Sequence, residues 1–299
     1  MSAVAPDLDA PRPANGERFS DALTVTFGDA AASLFGTIRL GLAGGDTASG
    51  MAILFHRGEV LTVSAEGGIE AVDPSRWEGI SAAGIDAETI EPLRAWRLHF
   101  AGEEIGLDLE LEATGPACAL DARDPVARAG GMLGFEQPLL ARGVADVNGQ
   151  RLKVSALGQR GRSWGDPDWS RITRTRTAGV WLADRTLTLS AIARTGDEGH
   201  GREAISAAIL GVDDCAKIAD PRISTTFDAD GRQRRAALEL WPDDEKPPIR
   251  AEGEVLCGTT LDLGRLRLDC AFVSWRVDGQ RCVGRYDVLR REPAVDGAE

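Results

Sequence analysis

Residues 105–111 (IGLDLEL) set Leu107, Leu109 and Leu111 against Gly106, Asp108 and Glu110. Strict alternation of this kind predicts a strand in a sheet with one wet face. Short apolar or β-branched runs recur upstream, at 22–27 (ALTVTF), 35–42 (FGTIRLGL) and 51–55, each bounded by glycine-rich turns. A further run at 59–64 follows Arg57-Gly58, and 95–100 (AWRLHF) meets 105–111 across a four-residue connection.

The second half of the chain repeats the pattern with clearer turns. Runs 143–147 and 151–156 flank Asn148-Gly149, and 271–277 and 281–289 flank Asp278-Gly279. Asp230-Gly231 precedes 235–240, and 180–182 faces 186–192 across Ala183-Asp184-Arg185. Asn-Gly and Asp-Gly supply the positive φ values that tight hairpins require. Helix is scarce. Residues 86–94 and 213–219 have room for a turn or two, and no long amphipathic stripe occurs. Residues 114–131 read as loop. An all-β fold is predicted, and 299 residues suffice for two barrels or one large twisted sheet. Both halves are rich in hairpins, without an exact internal repeat.

Composition narrows the function classes. Lys+Arg 34 against Asp+Glu 47 gives a formal net charge of -13. That balance argues against nucleic-acid binding, which needs excess positive charge, and against docking on an anionic membrane. Solubility is its plain reading. Residues 1–16, rich in Ala, Pro and Asp, have neither the basic start nor the apolar run of a secretory signal and predict a flexible tail. No stretch approaches the roughly 18 apolar residues of a membrane helix. A cytoplasmic protein with reduced thiols is expected, because Cys118, Cys215, Cys257, Cys270 and Cys282 are odd in number and form no CxxC pair. His56, His99 and His200 stand singly and read as structural. With no HExxH, Walker loop, GxSxG elbow or GxGxxG between strand and helix, neither cofactor nor metal is expected. The pattern assigns no oligomeric state.

Residues 157–171 (LGQRGRSWGDPDWSR) are the least ordinary stretch. Arg160, Arg162, Trp164, Asp166, Asp168 and Trp169 crowd together after the Asn-Gly hairpin, with Gly158, Gly161 and Gly165 giving the backbone room to bend. Arg160, Arg162, Ser163, Trp164, Gly165 and Trp169, with the upstream Gly134-Phe135-Glu136-Gln137, resemble the signature of the hydroxyneurosporene synthase or carotenoid hydratase-like family. Residues 19–42 and 284–291 are consistent with it. Gly161 stands where that family often has Asp, and Arg162 where the carotenoid hydratases have His, which marks a divergent member.

The resemblance implies two lipocalin-like antiparallel β-barrel domains packed side by side, an N-terminal one over 17–158 and a C-terminal one over 159–295. It also implies an apolar, isoprenoid-like or polyketide-like small molecule as ligand, since relatives of this architecture hydrate carbon–carbon double bonds or cyclise polyenes. Such a reaction needs an acid to protonate an alkene and a pocket that stabilises a carbocation. Glu136, Asp166 and Asp168 are the candidate acids, because burial in an apolar barrel disfavours the charged form of a carboxyl and can keep it protonated. Trp164, Trp169, Trp181 and Trp275 are candidates to face a cation or substrate, and Arg160 and Arg162 to clamp an anionic group on the ligand. Each has a plainer reading. The tryptophans also serve as core or sheet residues, and the arginines as structural partners of nearby carboxylates. Asp166-Pro167-Asp168 also reads as turn chemistry. Set against the enzyme are a non-catalytic lipocalin-like binder of a lipid or isoprenoid and a structural protein with closed domains.

Overall fold

The computed structural model describes residues 3–13, 16–44, 47–196, 202–243 and 245–292; His200 lies outside them. The first sheet is built from β1 (Ser20–Asp29), β2 (Leu34–Ala43), β3 (Thr47–His56), β4 (Glu59–Glu70), β5 (Ile85–Glu91), β6 (Ala95–Ala101), β7 (Ile105–Ala113), β8 (Cys118–Leu120), β9 (Met132–Val147) and β10 (Gln150–Gly165). Its order is β4-β3-β2-β1-β10-β9-β7-β6-β5, with β8 added on β9. The second sheet holds β11 (Ile172–Trp181), β12 (Arg185–Arg194), β13 (Ala204–Gly211), β14 (Cys215–Lys217), β15 (Asp220–Phe227), β16 (Gln233–Trp241), β17 (Ile249–Asp262), β18 (Leu266–Val277) and β19 (Gln280–Arg291), in the order β14-β13-β12-β11-β19-β18-β17-β16-β15. Both curl into antiparallel half-barrels, so the chain is two lipocalin-like β-domains with almost no helix. The plan occurs twice: each sheet joins its first strand to its last, β1 to β10 and β11 to β19.

Period-two alternation fills the two cores. Leu107, Leu109 and Leu111 pack in the first with Leu23, Val25 and Phe27. Val180, Leu187, Trp275, Tyr286 and Val288 pack in the second. Each such side chain contributes roughly 1.5–3 kcal/mol when removed from water. A third apolar cluster joins the domains, where Phe35 and Phe55 of the first sheet meet Trp181 and Phe272 of the second. The Phe35 and Phe272 rings lie 5.3 Å apart. Asn148 and Gly149 (φ 51 and 78) and Asp278 and Gly279 (φ 50 and 84) form the tight hairpin turns that their sequence predicts.

Several local expectations give way to tertiary pairing. Residues 86–91 lie in strand β5, held by β6, and 215–217 form β14 on the edge of β13. The loop expected at 114–131 contains β8 and a short helix, α1 (Pro125–Gly130), opened by its proline and closed by Gly131 at φ 67. The segment expected to bend at its glycines is continuous strand: β10 runs without a register shift past residue 158 to Gly165. Within the 1–16 segment expected to be a tail, Pro6–Asp9 makes one 3₁₀ turn and Asp9 is 1% exposed. Composition there hides a specific anchor, an acid that meets a buried arginine.

Candidate active site

Because β10 alternates, its residues divide between two faces. Arg160 and Arg162 point into the first domain, where both are buried. Arg160 pairs with Asp9 and lies 4.4 Å over the ring of Trp96. The other Asp9 oxygen accepts from Trp96 Nε1 at 2.9 Å and from the Leu93 amide at 2.7 Å. Arg162 pairs with Asp21 through both terminal nitrogens. It also donates to the carbonyls of Ala22 at 2.6 Å and Ala10 at 2.8 Å, and lies 4.6 Å over Trp77. Every nitrogen of Arg162 has a protein acceptor, whereas Arg160 keeps its Nε and one terminal nitrogen unpartnered. Of the two readings for Arg160 and Arg162, the structure shows carboxylate partners for both.

The opposite face of β10, with β9, β2, β12 and β19, borders a cavity of about 780 Å³ between the domains. This is within the range of small-molecule sites. Met51, Leu189, Ile192, Leu266, Leu268 and Leu289 supply apolar wall, and Trp169 borders it. Glu136 reaches the cavity by alternation on β9: Phe135 and Gln137 on either side are buried, and Gln137 donates to the Leu93 and Gly115 carbonyls. Register places Glu136 opposite Gly161. A Cβ at residue 161 would lie 2.8 Å from Glu136 Oε1, so the glycine leaves the carboxyl its space.

Gln159 fixes the polarity of this carboxyl. Trp181 Nε1, which is only a donor, gives its proton to Gln159 Oε1 at 3.0 Å. The amide nitrogen of Gln159 therefore faces Glu136 and donates to Oε2 at 2.9 Å. When Glu136 is neutral, its proton belongs on Oε1. Arg285 stands 3.6 Å from Oε1, and its other terminal nitrogen is 3.8 Å from Asp287. Both separations are longer than a hydrogen bond. Arg285 Nε and Asp287 Oδ1 are buried without a partner. Burial pushes the Glu136 pKa above the ordinary glutamate range, against Arg285, the Gln159 bond and Arg160. Burial likewise raises Asp287, again against Arg285. Arg39 completes the cluster from β2, donating to Thr24 Oγ1 at 3.1 Å. Burial lowers its pKa; Asp21 opposes that, while Arg285 and Arg162 add to it.

The remaining candidates are dispersed. Asp166 is exposed after β10. Asp168 accepts from the Ser170 amide at 3.1 Å and hydroxyl at 2.5 Å, and the hydroxyl bond leads the causes that hold its pKa below the usual value. Neither borders the cavity. Trp164 is half-buried against Phe135, with Arg12 5.5 Å over its ring, and also stands off the cavity. Trp275 belongs to the second core. Trp181 acts one step back, through Gln159. Arg39, Arg285 and Asp287 were not anticipated. The signal for the last two is Arg285-Tyr286-Asp287: Tyr286 faces the core, so its charged neighbours face away from it. Among the described residues, no group of three His, Cys, Asp or Glu is placed to hold a metal ion, and no helix is long and apolar enough to cross a membrane.

Fold and cavity together define a two-domain lipocalin-like β-protein with an acid and guanidinium cluster set in an otherwise largely apolar interdomain site. Over residues 6–292 the chain matches the family described as a domain of unknown function, DUF7064, and it belongs to that family. Solved structures of the same fold include a protein of Nitrosomonas europaea described as an AttH (12% identity, TM-score 0.68, covering 91% of this chain and 92% of that one). Kievitone hydratase from Nectria haematococca shares 12% identity at TM-score 0.63, covering 91% and 89%. CghA with Sch210972 shares 11% at TM-score 0.62, covering 94% and 89%. No curated protein matches the chain.

Proposed function

We propose that this protein is an enzyme that adds water to, or cyclises, an alkene-rich apolar small molecule in the interdomain cavity, with Glu136 as the proton donor. The observation that carries the reading is Glu136 itself: a carboxyl facing a ligand-sized cavity, with a raised pKa and one short hydrogen bond, to Gln159 Nε2. Transfer of the Oε1 proton to one alkene carbon leaves a carbocation on the other. Trp169 borders the space in which that charge forms. Attack by water with return of a proton to Glu136 gives the hydrate; carbon–carbon closure followed by proton loss gives a cyclic isomer. Kievitone hydratase shares the fold, which supports the reading. Asp166 and Asp168 have no part in it, Gln159 and Trp181 orient the acid, and Arg160 and Arg162 brace the wall behind it.

One observation favours a second reading, a non-catalytic binder of a lipid or isoprenoid. Arg285, at 3.6 Å, favours the ionised form of Glu136, and a carboxylate cannot donate a proton. Ligands recovered by native mass spectrometry of the purified protein, then incubated with it in heavy-oxygen water or heavy water, separate the two. The enzyme incorporates one heavy oxygen for hydration or one deuterium for cyclisation, and Glu136→Gln abolishes it. Return of unaltered ligand from the wild-type protein establishes the binder.

A further inference from the structure

Not every charged group around the cavity is closely paired within the protein. Arg176 pairs with Glu203, Lys217 with Asp124 at 2.5 Å, and Arg162 with Asp21. Glu66 accepts from the Ala83 amide at 2.7 Å. What remains without a close ion partner is Arg39 and Arg285 on one side and Glu66, Glu136 and Asp287 on the other. Arg39 makes one side-chain hydrogen bond, to Thr24, and among the described residues no ion pair. Arg285 is 6% exposed, its Nε has no acceptor, and no carboxylate oxygen comes closer than 3.6 Å. A buried guanidinium with unmet donors is costly, and an anion supplies both acceptors and charge. The two arginines belong to one site: Thr37, two residues from Arg39 on β2, lies 3.9 Å from Cys270 Sγ, which borders the cavity beside Asp287.

We infer that the ligand is an anionic amphiphile whose carboxylate head sits between Arg39 and Arg285, with its apolar body along Met51, Leu189, Ile192, Leu266 and Leu289. This names the substrate class for the reading above and rests on it for the identity of the site. The head then lies beside Glu136, so the acid meets the part of the chain nearest the carboxylate.

A polyene carboxylate with intrinsic fluorescence, cis-parinaric acid, tests this against its methyl ester, which keeps the body and removes the charge. The full chain is expected to bind the acid at least about tenfold more tightly than the ester. Arg39→Gln and, separately, Arg285→Gln bring that ratio towards one, while Arg285→Lys restores part of it if the glutamine variant folds poorly. Equal affinity for acid and ester, a ratio that survives both substitutions, or binding of neither overturns the inference. Glu136→Gln keeps the acid preference. Acid preference without Glu136-dependent turnover therefore defeats the catalytic reading alone, and Glu136-dependent turnover without acid preference defeats the carboxylate alone.

Discussion

Two ionic clusters lie on opposite faces of the β9 and β10 pair, and they are built differently. On the first-domain side, Arg160 and Arg162 are locked by Asp9 and Asp21, stacked over Trp96 and Trp77, and Arg162 has every nitrogen in use. On the cavity side, Arg285 stands 3.6 and 3.8 Å from its two acids and leaves donors and acceptors unmet. Arg160 leaves its Nε and one terminal nitrogen without an acceptor, yet it is shut against Asp9 and the Trp96 ring away from the cavity; the second arrangement borders the cavity and is where a ligand or a proton has work to do. Closeness to an unusual sequence motif does not separate them, because Arg160, Arg162 and Gly161 are consecutive or alternate along one strand.

Breaking the closed cluster has the largest expected effect. Arg162→Met leaves Asp21 buried without its cation and should cost roughly 3–5 kcal/mol, read as a fall in the urea midpoint, whereas Glu136→Gln should move that midpoint little. Trp181→Phe removes the donor that orients Gln159 and should cost roughly 1–3 kcal/mol. It should also lower turnover, since the Gln159 amide is then free to reverse. The pH response comes next. Burial raises the folded pKa of Glu136, so its proton is held more tightly in the folded chain. The stability that this proton contributes is full below the ordinary glutamate range and is lost as pH rises through the raised folded value. Each pH unit between the unfolded and folded values is worth about 1.4 kcal/mol. The stability difference between wild type and Glu136→Gln should therefore fall with rising pH across that window and be flat outside it. Gly161→Ala should cost the least, about 1 kcal/mol or less, because its Cβ meets the far end of a flexible side chain. Displacing Glu136 from Gln159 should nevertheless cut turnover severalfold.

Much of the fold is legible in the chain, because alternation and turn residues are local signals. The run 105–111 and the Asn148-Gly149 and Asp278-Gly279 turns state their structure directly. Residues 86–91 do not, since their strand state comes from pairing with β6 rather than from propensity. The site was half legible. Glu136 lies in a predictable strand with a predictable face, yet nothing local says that this face meets a second domain carrying Arg285 and Asp287. Asp9 shows the same limit in reverse: an acid in a Pro- and Ala-rich segment reads as tail until a buried arginine 151 residues away is placed beside it.

The central claim is that Glu136 faces the cavity as a carboxyl that holds its proton more tightly than an ordinary glutamate. Titration of the Glu136 side-chain carboxyl by carbon-13 NMR, assigned by the resonance missing from Glu136→Gln, tests it most directly. A midpoint clearly above about 4.3, the ordinary glutamate value, is the predicted result; a midpoint at or below it would show a carboxylate held ionised by Arg285 and contradict the account.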